Sequence, residues 1–164
     1  MATIAKLCEL GVLEDLDPGL DPAELPTRQL YGTVEFVAWL NDVLPELVVE
    51  DDPLSDDLSP MEQVGALFSE YLLGETFSTD RRFKKLNATP QHHIWELKTP
   101  DVRIFGWVPA KDCFICCYGD LKNAVVTFNK YGLYMARTKL VRDKMDLDEP
   151  KCVESREFKD VIST

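Results

Sequence analysis

The sequence predicts an α+β protein: a twisted antiparallel β-sheet of three or more strands, with N-terminal helices and a C-terminal helix packed on it. Three observations lead there. Apolar residues recur at helical spacing in the first 80 residues, residues 93–118 hold three strand-like runs separated by turn residues, and helical spacing returns after residue 133. A length of 164 residues and a hydrophobic share of 45% fit one domain, or one domain with a substantial appendage, that can bury a sizeable core.

The stretch DLDPGLDPAELP (15–26) holds three prolines and a glycine, so a loop is expected. From Thr27, the residues Leu30, Val34, Val37, Ala38, Leu40 and Val43 keep helical spacing until Pro45, which predicts a helix there. EDDPLSDDLSP (50–60) is an acidic run that repels itself and stays solvated. Ser59, Pro60 and Glu62 then spell a helix start: a serine cap, proline at the first helical position and a capping-box glutamate. Gly74 suits the stop, and Met61, Val64, Leu67, Phe68, Tyr71 and Leu72 form the buried stripe.

In the second half HIWELK (93–98) and VRIFGWV (102–108) have strand character, and Thr99, Pro100 and Asp101 supply turn chemistry between them. CFICCY follows as a third strand, giving an antiparallel meander over residues 93–118. LKNAVVTFNKYG fits a short helix or a strand running into a loop. Residues 133–147 predict a helix with Ala136, Leu140 and Met145 apolar among Arg137, Lys139, Arg142 and Lys144.

The net charge of −11 conceals a division. Residues 1–80 carry 18 acids and 2 bases, a net of −16, whereas residues 81–164 carry 11 acids and 16 bases, a net of +5. The boundary falls at STDRRFKKL, which separates an acidic, mainly helical N-terminal region from a basic α+β region, the two expected to form one compact unit. No apolar run reaches the ~20 residues of a membrane span, and the N-terminus lacks the basic and apolar stretches of a signal peptide. A cytoplasmic protein is therefore expected. Five cysteines, an odd number in such a chain, predict reduced thiols. Cys113, Cys116 and Cys117 lie on a strand rather than in paired turns, so buried small hydrophobes are expected there and no metal site.

The segments FKKL, IWELKTPDVRIFGW, DCFICCYGDLK and YMARTKLVRDKM, in that order, resemble the RelE/ParE toxin superfamily, especially its phage-type HigB-like branch, over residues 83–147. In that family a basic segment precedes a strand ending in Glu-Leu-Arg or Glu-Leu-Lys. The next strand carries an arginine followed by apolar residues, and then come a further strand, a loop with lysines and a basic helix. The first 80 residues lie outside the resemblance. It implies a RelE-like fold and ribosome-dependent cleavage of messenger RNA by the 2′-hydroxyl of the nucleotide being cut. RNA, the ribosome and a cognate antitoxin would be the partners.

That reaction needs a base for the hydroxyl, a cation for the crowded phosphate and an acid for the leaving oxygen. It implies no cofactor, and the sequence has no Gly-rich phosphate loop or dinucleotide fingerprint. Arg103 occupies the strand-arginine position, where its planar fork suits a phosphate. Lys122 and Lys130 fall in the lysine loop, and Tyr131 and His93 join as acid–base candidates beside His92 and Tyr118. Arg81, Arg82, Lys84, Lys85, Arg137 and Arg142 are the candidates for tracking RNA phosphates.

Each of these residues also has a plainer reading. Arg103 can pair across the hairpin with Glu96, His92 and His93 can be exposed loop residues, and the lysines and arginines a solvated face. Trp95, Phe105 and Trp107 can stack on bases, but on strands covered by helices they belong to the core. So acidic a chain also fits a non-enzymatic reading. A phage or prophage protein of this kind can bind and inhibit a basic host defence protein by mimicking nucleic acid, with Asp51, Asp52, Asp56 and Asp57 as the contact surface.

Overall fold

The computed structural model describes residues 1–49, 58–77, 81–86 and 92–163. Thr3 caps a short helix, Ile4–Glu9 (α1), its hydroxyl oxygen accepting the Lys6 N–H at 3.1 Å. Two strands follow, Leu13–Asp15 (β1) and Gln29–Thr33 (β2), separated by the proline-rich loop. Thr33 ends β2 and caps Val34–Ala38 (α2) through the Phe36 N–H. The helix then widens into a π turn over Trp39–Val43, with the Leu44 N–H bonding to the Trp39 carbonyl, and tightens to a 3₁₀ turn at Leu44–Glu46.

The helix Pro60–Leu72 (α3) starts with both halves of its capping box in place and is followed by Gly74 at φ 81°. Next come the strands Phe83–Lys85 (β3), Trp95–Lys98 (β4), Val102–Ala110 (β5) and Cys113–Leu121 (β6). The helices Lys122–Thr127 (α4), Tyr131–Lys144 (α5) and Phe158–Val161 (α6) complete the chain.

All six strands form one sheet in the order β1-β2-β6-β5-β4-β3. The α+β class and the β4–β5–β6 meander agree with the sequence, but an all-antiparallel sheet does not. β2 runs parallel to β6, pairing Leu30 with Phe114 and Gly32 with Cys116. The helix expected from Thr27 begins only at Val34. Leu30, counted into its apolar stripe, is instead a fully buried strand residue, because tertiary pairing with β6 overrides a periodicity that a five-residue strand is too short to contradict. The sheet thus draws β1 and β2 from the acidic half and its remaining strands from the basic half. No helix among the described residues is long and apolar enough to cross a membrane.

Both faces of the sheet are covered. On one, α2, α3 and α6 pack on Leu30, Trp95, Leu97, Val102, Ile104, Phe114 and Cys116. On the other, α1 covers Trp107, Ile115 and Cys117, while α4 and α5 cover Ile94 and Phe105. Trp95, Phe105 and Trp107 are all fully buried, so they are core residues. Burial of β6 on both sides also pushes the Cys113 and Cys117 thiols up to about 12, and all five cysteines are free. Arg28 fastens the C-terminal segment from inside. Its Nη1 donates to the Tyr71 carbonyl at 3.0 Å and its Nη2 to the Ser163 carbonyl at 2.8 Å, with the guanidinium over the Tyr71 ring.

Candidate active site

The site is built where β4, β5 and β6 end beneath the first turn of α5. Register puts Lys98 and Asp120 on either side of Arg103, and Glu96 and Tyr118 on either side of Phe105. Directly opposed residues share a face, so Glu96, Lys98, Arg103, Tyr118 and Asp120 all lie on the α5 side. For β6 this depends on a bulge. Gly106 pairs with Cys116 and Phe105 with Tyr118, so Cys117 is the extra residue. Without it, strand parity would turn Tyr118 and Asp120 to the opposite face.

Aromatic contacts seat α5 on this surface. Phe105 stacks on Tyr134 with centroids 4.9 Å apart and meets Tyr131 edge-on at 5.7 Å. The Tyr131 hydroxyl thereby reaches both Glu96 and Arg103. Glu96 is 1% exposed, and its Oε2 has no hydrogen-bond partner among the described residues. Burial holds its carboxyl above the ordinary glutamate range, against the opposing pull of Arg103, Lys98 and Lys84. Burial, then the neighbouring Glu96 charge, also raises Tyr131. Beside this group Asp120 accepts the Tyr134 hydroxyl at 2.6 Å and Lys130 Nζ at 3.3 Å.

Arg103 is 7% exposed. Its Nη1 donates to the carbonyls of Thr99 at 2.6 Å and Val102 at 3.0 Å, while its buried Nε has no partner among the described residues. It also forms part of the wall of a cleft of about 740 Å³ between α3 and the β4–β5 turn, together with Arg81, Arg82, Lys98 and Lys122. Among the described residues one acid, Glu70, lines the same cleft, and it pairs with Arg82 at 2.6 Å. Five cations and one carboxylate among the described residues thus make a lining suited to an anion.

The candidate residues therefore divide. Arg103, Lys122, Arg81 and Arg82 share the cleft, and Tyr131 and Lys130 stand over Glu96 and Asp120 beside it. Lys84 lies on the Glu96 face of β3, and Arg137 is exposed on α5. His93, Lys85 and Arg142 are at the other end of the sheet. His93 has φ 57° and a buried Nδ1 with no partner among the described residues, and burial followed by the Lys85 charge holds its pKa down. Lys85 donates to the Ser155 carbonyl at 3.4 Å, and Arg142 to the His92 carbonyl. Asp51, Asp52, Asp56 and Asp57 lie outside the described residues.

Sequence reasoning passed over Lys98, Asp120 and Tyr134, and took Glu96 only as a pairing partner. Alternation along HIWELK would have placed Lys98 beside Glu96, but the bulge hides Asp120 from any such count. Comparison with known protein families, with characterised proteins and with solved structures returns no match.

Proposed function

We propose that the chain is a RelE/HigB-like, ribosome-dependent endoribonuclease that holds messenger RNA phosphates in the cleft of Arg81, Arg82, Lys98, Arg103 and Lys122. One observation supports this reading: Arg103 lines the cation-rich cleft and also neighbours the buried Glu96 carboxyl and the Tyr131 hydroxyl beside it. Phosphoryl-transfer sites need this combination, a fixed positive charge for the phosphate oxygens next to groups that exchange protons.

In the reaction the RNA 2′-oxygen attacks the adjacent phosphorus and the bond to the 5′-oxygen breaks, leaving a 2′,3′-cyclic phosphate and a 5′-hydroxyl. Tyr131 takes the 2′-hydroxyl proton as it passes its own to the Glu96 carboxylate. Arg103 neutralises the phosphate, and Lys122, exposed at the cleft, protonates the departing 5′-oxygen.

The test is cleavage of mRNA on purified, programmed ribosomes, with growth on induced expression as the cellular readout. Wild-type protein should arrest growth and yield cyclic-phosphate ends. Lys122→Ala and Tyr131→Phe should each lower the rate about a hundredfold or more while unfolding cooperatively. Soluble wild-type protein that neither arrests growth nor cuts ribosome-bound mRNA sinks the proposal.

A further inference from the structure

Gln63 is a buried polar side chain that the chemistry proposed above does not use. It sits on α3 at 3% exposure and, with Ala66 and Glu70 on the same stripe of the helix, lines the basic cleft. Its amide is fully bonded. Nε2 donates to the Leu58 carbonyl at 3.0 Å and to Asp101 Oδ2 at 2.6 Å, while Oε1 accepts the Thr99 hydroxyl at 2.9 Å and the Asp101 N–H at 3.0 Å. A glutamine has two donors and two acceptor sites, and here all but one of them are spent on the β4–β5 turn.

Neither the helix nor the turn needs this amide to take shape. The apolar side of α3, with Val64, Leu67, Phe68 and Tyr71, is packed in the core. The turn closes on itself, through the Thr99 N–H to the Val102 carbonyl at 3.0 Å and the Val102 N–H to Thr99 Oγ1 at 2.9 Å. What Gln63 adds is the placement of one against the other. The turn passes that placement to two cations of the cleft. Its Thr99 carbonyl accepts Arg103 Nη1 at 2.6 Å, and its Asp101 carbonyl accepts the Lys122 N–H at 2.8 Å, anchoring the start of α4, which has no side-chain cap.

We propose that Gln63 is a positioning residue for the cleft. Through the Thr99–Asp101 turn it fixes the Arg103 guanidinium and the Lys122 end of α4 relative to α3, so that both cations serve one phosphate. The inference rests on the ribonuclease reading for the phosphate, and on the bonds above for the geometry. It gives the acidic half a part in the site, since α3 belongs to that half and sets two cations of the basic half.

The test is Gln63→Met on the full chain, which keeps an unbranched side chain and removes all four bonds. On programmed ribosomes kcat should fall about tenfold or more with KM within about threefold, because reacting groups rather than the binding surface are displaced. In a Lys122→Ala background the loss from Gln63→Met should shrink by about threefold or more, since part of its route is already missing, whereas general loosening would multiply unchanged. A readout free of catalysis is the nitrogen-15 NMR signal of the buried Arg103 Nε–H, identified by its absence from Arg103→Met. Gln63→Met should shift that signal and speed its exchange with solvent about tenfold or more, while amides of α3 keep their wild-type protection. Asp101→Ala removes the 2.6 Å bond from the turn side, should act in the same direction to a lesser degree, and carries the test if Gln63→Met does not fold. An unchanged Arg103 signal, equal losses of kcat in both backgrounds, or a loss of α3 protection matching that of Arg103 overturns the proposal and makes Gln63 a structural clasp. Wild-type protein that cuts no mRNA overturns the ribonuclease reading instead, and the Arg103 signal then decides alone whether Gln63 positions the cleft.

Discussion

Arg103 and Glu96 lend themselves to a double-mutant cycle that separates structure from chemistry. Arg103→Met keeps the apolar stem but removes Nη1, which donates to Thr99 O and Val102 O. Val102 O also accepts the Thr99 N–H at 3.0 Å, so the net loss is close to one charge-assisted bond, about 2 kcal/mol. A second part of the cost falls on Glu96, for which Arg103 is the strongest favourable charge. Removing that charge leaves a carboxylate at 1% exposure with less to offset its desolvation. In a Glu96→Gln background this second part disappears. The expectation at neutral pH is therefore a loss of about 3 kcal/mol in the wild-type background and about 2 in the Gln background, a coupling of about 1 kcal/mol. Urea unfolding of the four proteins with matched m-values measures it. The coupling should fade in acid, where Glu96 carries its proton whether or not Arg103 is present. A coupling under about 0.3 kcal/mol, the level of independent sites, refutes the argument that the two residues act as a unit.

Glu96→Gln alone predicts a change in pH dependence. The folded carboxyl sits above its ordinary value, so the native state binds more protons than the unfolded one and wild-type stability falls as pH rises between those two values. Melting curves taken from about pH 4 to about pH 8 should show that decline in the wild type and less of it in the variant. Gly119→Ala would place a methyl group 2.5 Å from the Trp39 ring and should cost about 1–3 kcal/mol, with a changed near-UV circular dichroism spectrum. An unaltered spectrum and melting temperature would mean that Trp39 does not rest on β6. Arg28→Met severs the bonds to Tyr71 O and Ser163 O, so amides of α6 should exchange faster than those of β5. For single-stranded RNA, Lys122→Ala should lower the slope of log affinity against log salt by about 0.7, the share of one phosphate contact, and an unchanged slope would place Lys122 outside the binding face.

Local signals were enough for several elements. The Ser59–Glu62 box writes the start of α3 in four letters, and Thr99-Pro100-Asp101 writes the β4–β5 turn. β2 escaped because its partner lies roughly 80 residues away and parallel, so no turn motif announces the pairing, while Leu30 also fits the period of the helix that follows. In the site, Arg103 was legible as a strand cation within an apolar run. The convergence of Asp120 with it was not, since that depends on the bulge at Cys117, a feature of pairing rather than of composition. Nor could the letters separate Arg81 and Arg82, which face the cleft, from Lys85 and Arg142, whose charges are spent on backbone carbonyls at the other end of the sheet.

The parallel pairing of β2 with β6 also sets an order of events during synthesis. With roughly 80 residues between Thr33 and Cys113, a ribosome adding about 5–20 residues per second leaves the β1–β2 ribbon without its neighbour for about 4–16 s. In that interval its apolar face and one hydrogen-bonding edge are open to chaperones or to the wrong strand. The converse holds for a chain starting after residue 80. It would emerge with β6 as a bare margin, carrying Phe114, Ile115 and Cys116 along an unpaired edge, and aggregation is the expected fate. The acidic half is thus not separable from the basic half, because it supplies the two strands that close that side of the sheet.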